Sequence, residues 1–322
     1  MRRFADYDIE VPFAPAAGVL NGANEELLEE QIIDVLRSPA AMAIPGSFTW
    51  NGGSGNEGTV YYYNKITGQS VNSVGLPNIS GPRAAGLYPK WKEIGDFYGT
   101  PVMPSVSPGK GEDPAKVLPD MVELFVEAGA PAVEVNYSCP NKIDEHGGRE
   151  PVLGHDLEQM EEIDAEIVRR VGDAVVISRK LPPYVGEKKM LIPAVGELFV
   201  RAGGRKVLDL SNTLGGQQII TERGDPALTV PGNLGGLSGP ATSEIGRDQL
   251  KRFKDVLAKG IGTISCLGVD NGAEVFHRVD ELEADLTCGA TVFVENETRG
   301  ISYGQTCQRI AEEYAEAVEA VA

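Results

Sequence analysis

The chain has 322 residues, with 47 acidic against 29 basic side chains and a net charge of −18 at neutral pH. That balance opposes binding to nucleic acid or anionic lipid, both of which need a basic footprint; an anionic substrate held by local positive groups is not excluded. Four cysteines (Cys139, Cys266, Cys288, Cys307) in so long a chain do not make a disulfide framework.

Read from the N-terminus, MRRFADYDIEVPFAP has two arginines but no apolar core of a secretory signal. No run of about 18 apolar residues follows that could span a membrane, so a cytoplasmic protein is expected. Short apolar or β-branched stretches at 12–17, 40–45, 101–106, 132–137, 174–180, 206–211, 262–266 and 290–294 predict strands. Helical patterns lie between most of them. In 25–37, Leu28, Ile32, Val35 and Leu36 share one face. Asp113-Pro114 reads as an N-cap and first helical position of a helix closed by Gly129. The pattern from Asp156 to Val171 stops at Gly172, and 243–259, 272–287 and 304–321 read as helices too.

This alternation over the whole chain predicts a single domain, 1–322, folded as a (β/α)₈ TIM barrel. A doubly wound open sheet is the alternative, but its G-x-G-x-x-G mark after the first strand is missing. The Gly-, Asn- and Tyr-rich excursion 46–78 contains TVYYYNKITGQSVNS, which predicts a β-hairpin turning near Asn64-Lys65 or Thr67-Gly68. In a barrel this insertion lies over the C-terminal mouth, where such folds keep their chemistry.

The segments that follow the strands converge at that mouth: Ala17-Gly18, the 46–78 loop, Asn136 to Asn141, Lys180, Asn212-Thr213, Gly235-Gly236 and Gly268. They hold one thiol, one lysine and several carboxamides, including Asn72. Each carboxamide offers a donor and an acceptor, which suits a ring bearing alternating N–H and C=O groups. A single buried asparagine is more often a satisfied turn residue; a set of them at strand ends is less easily explained so.

Cys139 lies among polar neighbours in VEVNYSCPNK, unlike Cys266, Cys288 and Cys307, which read as inert core. A thiol, with a reference pKa of about 8.5, can exchange a proton near neutrality. A nucleophilic Cys/His pair with His146 or His155 lacks an orienting third residue, and the spacing of these three does not suit zinc, so no metal is expected. Lys180, in I-S-R-K-L-P-P-Y, is either a snorkelling surface lysine or a positive charge aimed into the barrel mouth. G-N-L-G-G-L-S-G (232–239) offers bare N–H groups ahead of a helix, a usable but unspecific phosphate cradle.

With these residues in view, the chain resembles the class 1 dihydroorotate dehydrogenases, FMN-containing (β/α)₈ barrels, over nearly its whole length. P-F-A-P-A-A-G-V (12–19) is similar to the family's first strand and flavin turn, and V-N-S-V-G-L-P-N (71–78) to its substrate loop. E-V-N-Y-S-C-P-N (134–141) is similar to its catalytic loop, and K-L-P-P-Y (180–184) to the strand bearing the flavin lysine. S-N-T (211–213) resembles the asparagine with its hydroxyl neighbour; G-G-L-S-G (235–239) and C-G-A-T (288–291) resemble the phosphate-side segments.

The resemblance implies that Cys139 takes the C5 proton of a dihydropyrimidine while C6 delivers hydride to flavin N5. It implies that Asn72, Asn136, Asn141, Asn212, Thr213 and the backbone of Gly75-Leu76 hold the ring, and that Ala17, Gly18, Lys180, Gly235, Gly236 and Gly268 contact FMN. The G-L-P-N form of the substrate loop most resembles the homodimeric 1A branch, which implies a soluble electron acceptor such as fumarate.

Three segments depart from the pattern. A-I-P-G-S-F-T (43–49) has Pro45 or Gly46 where the family has a lysine. S-C-L-G-V-D (265–270) keeps only Gly268 of a Gly-Gly pair, and V-E-N-E-T (294–298) puts Glu295 and Glu297 where a Gly-Thr pair is usual. A second reading therefore keeps the flavin but takes another, neutral dihydropyrimidine. A third is a non-catalytic homologue without FMN, against which the retention of Cys139, Lys180 and the asparagines argues.

Overall fold

Strands and helices alternate through the computed structural model, which describes residues 2–4, 7–144 and 146–321. A small hairpin comes first, β1 (Arg2–Phe4) with β2 (Tyr7–Ile9), followed by β3 (Phe13–Pro15) and α1 (Glu25–Leu36). The 46–78 insertion carries β4 (Tyr61–Asn64) and β5 (Gln69–Asn72). Then come α2 (Gly81–Tyr98), β6 (Ser105–Val106), α3 (Pro114–Glu127), β7 (Ala132–Asn136), α4 (Leu157–Val171), β8 (Val176–Leu181), α5 (Ile192–Arg201) and β9 (Arg205–Leu210). The last third contains β10 (Leu214–Gln217), β11 (Gly235–Ser238), α6 (Ser243–Val256), β12 (Gly262–Ser265), α7 (Gly272–Phe276), β13 (Leu286–Gly289), α8 (Thr291–Glu297) and α9 (Tyr303–Glu319).

Seven strands pair in parallel in the order β3-β13-β12-β9-β8-β7-β6. The stretch predicted as a strand at 40–45 closes the circle through isolated bridges. Ala41 N–H bonds to the Phe13 carbonyl at 2.7 Å; Ala43 N–H bonds to Pro101 C=O, and Met103 N–H to Ala43 C=O, both at 2.9 Å. The expected (β/α)₈ barrel is thus present, with one stave held by single bonds. No helix among the described residues is long and apolar enough to cross a membrane.

The N-cap read from the sequence at Asp113 is present, and Asn24 and Asp156 cap two further helices. Asn24, Asp113 and Asp156 accept backbone N–H bonds at the starts of α1, α3 and α4, each contributing about 1 kcal/mol. Two helices escaped the pattern, α2 and α5, because glycine and proline interrupt it. Pro82 and Pro193 fall in the first helical turn, where a missing N–H costs nothing.

The predicted strand at 290–294 is corrected: the strand is β13, and Thr291–Glu297 is helical. The Val-Phe-Val run is apolar because Val292 and Phe293 are buried, and Phe293 stacks on Phe13 at 5.8 Å. The predicted helix 272–287 is correspondingly shorter: α7 runs into one wide turn at His277–Glu281 before β13 begins.

A small apolar cluster gathers Val71, Ala227, Leu228 and Val230 around β5, and two large ones fill the barrel. One lies between staves and helices, around Trp91, Phe48 and Phe125. The other fills the lower barrel with Ala14, Met42, Met103, Ile264 and Leu286, and is joined by Phe4 and Ile9 of the first hairpin. Above it the interior turns polar.

The hairpin predicted within 46–78 forms, with β4 and β5 antiparallel. It does not stand alone: β10-β11-β5-β4 make a second, four-stranded sheet. Gly236 pairs with Asn72 and Ser238 with Ser70, so the insertion is tied to the segment after β9.

Candidate active site

β7 ends at Asn136 and releases the chain into Tyr137-Ser138-Cys139-Pro140-Asn141. Asn136 Oδ1 accepts from the Ser138 N–H at 3.0 Å and its hydroxyl at 2.7 Å, while Asn136 Nδ2 donates to Ser47 Oγ at 2.9 Å. Asn212, just beyond β9, donates from Nδ2 to Ser138 Oγ at 2.9 Å, and its Oδ1 accepts the Thr213 N–H at 2.7 Å. Asn136 therefore commits both acceptor sites of its carboxamide, and Asn212 one donor, to shaping the Cys139 loop at Ser138.

Across the cavity, Asn141 Nδ2 donates to Asn72 Oδ1 at 2.8 Å. Asn56, which sequence reading passed over, donates to the carbonyls of Asn141 (2.9 Å) and Ser73 (2.8 Å). Arg149, also unforeseen, donates to Pro140 C=O at 2.9 Å and to Leu234 C=O. The Cys139 loop is thus held from three sides.

Cys139 opens partly onto a cavity of about 250 Å³. Asn72, Gly75, Leu76, Asn136, Asn141, Asn212 and Thr213 line it, together with Ala17 and Gly18. A smaller inner cavity, about 50 Å³, adjoins it and is lined by Lys180, Gly268, Ser211 and again Ala17, Asn212 and Thr213. Burial pushes the Cys139 thiol above its ordinary pKa, opposed by a backbone hydrogen bond at Asn141 and the charge of Lys142. His155 is pushed down to about 4 by burial and by Lys188, which sits 2.9 Å away. It lines a different groove from Cys139, so a Cys139/His155 pair is not assembled.

Gly235 and Gly236 line neither cavity. They lie inside β11, so the expected phosphate cradle is a strand whose backbone is engaged by β5 and β10. Their lack of a side chain serves packing instead: a Cβ on Gly236 would stand 1.9 Å from Thr213 Oγ1, and one on Gly235 2.5 Å from Asn72 C=O.

Lys180 is a buried charge in the polar upper barrel, not a snorkelling one. Its Nζ lies 2.9 Å from Asp209 Oδ2 and 4.0 Å from Glu134 Oε1. Burial acts to lower its pKa, but these two carboxyl groups outweigh burial and hold the ammonium well above the usual lysine range. Both partners were missed because a strand's inward face depends on barrel register.

No lysine or arginine lines the outer cavity among the described residues. Gly75 (φ 75°) and Leu76 (φ 60°) are consecutive left-handed residues, and their N–H groups have no partner among the described residues. Successive free N–H groups in such a turn form a concavity suited to an anion. Asn141 Oδ1, Thr213 Oγ1 and Ser211 Oγ are buried without a partner as well, which is costly unless a ligand or water meets them.

These features fit a flavin. Ala16, Ala17, Gly289 and Ala290 give the inner cavity a wall without bulk; Lys180 supplies positive charge, and Ser211 and Thr213 supply unmet hydroxyls. Ser238, Gly239, Gly268 and Thr291 gather on one side of it. Glu295 and Glu297 line neither cavity, and Glu295 pairs with Arg299.

The family model for dihydroorotate dehydrogenase matches residues 2–317. A dihydroorotate dehydrogenase B (NAD(+)) catalytic subunit of Maridesulfovibrio salexigens is 31% identical over 147 residues, 41% of this chain and 44% of that protein. A dihydroorotate dehydrogenase A (fumarate) of Limosilactobacillus reuteri is 28% identical over 205 residues, 64% of this chain and 61% of that protein. The chain therefore matches less than two thirds of the length of either. A fumarate-type relative from Lacticaseibacillus paracasei is 29% identical over 237 residues, 73% and 72% of the two chains. Among solved structures, a dihydroorotate dehydrogenase of Eimeria tenella in complex with ferulenol shares the fold, with a TM-score of 0.74 at 13% identity over 96% of this chain and 82% of that one.

Proposed function

The chain belongs to the dihydroorotate dehydrogenase family, and we propose that it oxidises dihydroorotate to orotate using FMN and a soluble electron acceptor. One observation carries this reading: Cys139 shares a cavity with Asn72, Asn136, Asn141, Asn212 and Thr213. FMN, when bound, supplies a two-electron acceptor for the substrate's hydride. The chain's own residues do the rest. Cys139 Sγ removes the C5 proton, and the thiol must first lose its own. Asn141 Oδ1 and Thr213 Oγ1, both without a protein partner, meet the ring's N–H and C=O edge. The free N–H groups of Gly75 and Leu76 receive the carboxylate. Lys180 offsets the negative charge that accumulates on reduction. Likeness to fumarate-type relatives supports fumarate as acceptor, and the 1A-like G-L-P-N loop supports a homodimer.

A cavity without lysine or arginine among its described lining favours a second reading on one point: a neutral dihydropyrimidine needs no cationic partner. One experiment separates the two. Purified protein supplemented with FMN is yellow and is bleached anaerobically by dihydroorotate under the first reading. Bleaching by dihydrouracil alone supports the second, and protein that takes up no FMN defeats both.

A further inference from the structure

A chain of hydrogen bonds leaves the outer cavity and ends on a buried acid. Asn136 Nδ2 donates to Ser47 Oγ at 2.9 Å; Ser47 and Ser105 share a hydroxyl–hydroxyl bond of 2.8 Å in which either can donate; Ser105 Oγ donates to Glu134 Oε1 at 2.8 Å. Ser47 lines the cavity, whereas Ser105 and Glu134 are fully enclosed. Hydroxyl groups that both donate and accept can pass a proton along such a line.

The far end is short of one proton. Two carboxyl groups, Glu134 and Asp209, surround one ammonium, Lys180, with no solvent exposure at either acid. All ionised, the cluster would bury a net negative charge, which is costly. Glu134 Oε2 and Asp209 Oδ1 both lack a hydrogen-bond partner. One proton held by Glu134 and offered to Asp209 removes the excess charge and satisfies both atoms. The other titratable groups facing the cluster are Cys266, just beyond β12, and Cys288 in β13.

We propose that Ser47 and Ser105 form a proton relay between the reaction cavity and Glu134, so that reduction of a flavin held against Lys180 is accompanied by proton uptake at Glu134. This rests on the flavin reading above. No electron moves in the relay: in molecules whose Glu134 has lost its proton, Ser105 gives its hydroxyl proton to the Glu134 carboxylate, takes that of Ser47, and Ser47 is replenished from water in the cavity. Reoxidation reverses the transfer. The driving force is electrostatic, because negative charge on the reduced ring competes for Lys180 and disfavours a second anion beside it. Glu134 is poised for this: burial first, then Lys180 acting oppositely and Asp209 reinforcing, place its pKa at about 8.

The test is a pH titration of the purified protein followed by infrared difference spectroscopy, before and after FMN is added and reduced with dithionite. A protonated-carboxyl band is expected to disappear around pH 8, to be missing in Glu134→Gln, and to shift to higher pH on reduction. In Ser105→Ala the band should follow a pH jump more slowly by about a hundredfold, the low end of what a positioned proton donor contributes. A band that titrates in the ordinary carboxyl range, survives Glu134→Gln or responds at full speed without the Ser105 hydroxyl overturns the relay. FMN binding with no shift on reduction overturns the coupling alone; failure to bind FMN overturns the coupling and the proposed function together, while the titration still decides the relay.

Discussion

Asn141 and Asn72 lie far apart in sequence, yet the side-chain amide of one donates to the carbonyl of the other at 2.8 Å. The bond joins the loop that carries Cys139 to the strand that ends the inserted hairpin, and both residues line the same cavity. Asn141→Ala removes it and takes the unpartnered Oδ1 away from the cavity. Losing one or two such bonds at about 1 kcal/mol each should lower the second-order rate of flavin reduction by dihydroorotate by about tenfold. FMN binding, measured by fluorescence quenching, should be unaffected.

Cys139→Ser should retain FMN and reduce it more slowly at neutral pH by about 10²–10⁴-fold, the usual worth of a general base. Because burial holds the thiol above its ordinary pKa, the wild-type rate should still be rising with pH where a free thiol would already have levelled. Stopped-flow absorbance across alkaline pH reads this directly; an unchanged rate in the serine variant would remove Cys139 from the role of base.

Glu134 also governs stability. Its pKa is near 8 in the folded protein against an ordinary 4.5, so the folded state binds the extra proton between those values. Stability should therefore decline as pH rises from about 4.5 to about 8. Glu134→Gln lacks the titrating group and should show a flatter dependence, with its largest gain over wild type on the alkaline side. Calorimetric midpoints at acid and alkaline pH check the sign.

On the same strand as Lys180, Arg179 faces the opposite way, towards the helices. It makes two bonds to Asp164, at 2.7 and 3.0 Å, with neither residue exposed. Asp164→Ala strands a buried guanidinium and should cost about 3–5 kcal/mol of stability, read as a lowered denaturation midpoint. Activity per folded molecule should persist, since the pair lies outside both cavities.

Gly236→Ala places a methyl group 1.9 Å from Thr213 Oγ1, so Thr213 must move into the cavity it lines. Overpacking of this kind costs about 1–3 kcal/mol. Substrate affinity should fall more than the denaturation midpoint does, and an equilibrium titration with orotate beside a melting curve separates the two.

The sequence by itself determined what depends on near neighbours. Apolar spacing and the Asp113 cap placed helices among near neighbours, the Tyr61–Asn64 and Gln69–Asn72 strands announced their hairpin, and the carboxamides flanking Cys139 marked the end of β7 that opens onto the cavity. These signals are local because a cap bonds within one turn and a strand's alternation is written in consecutive residues.

Tertiary structure decided the rest. Residues 40–45 act as a stave only because β3 and the 101–103 segment offer them partners. Thr291–Glu297 is a helix because Leu286–Gly289 already occupies the place beside Phe13–Pro15. Gly235 and Gly236 are strand residues because β5 lies against them. Glu134, Lys180 and Asp209, dispersed along the chain, meet because they lie on neighbouring staves, Lys180 opposite Asp209 and Glu134 two residues before the Asn136 that pairs with Lys180. Contacts across a closed sheet depend on which strands become neighbours and in what register, and that is a property of the whole fold.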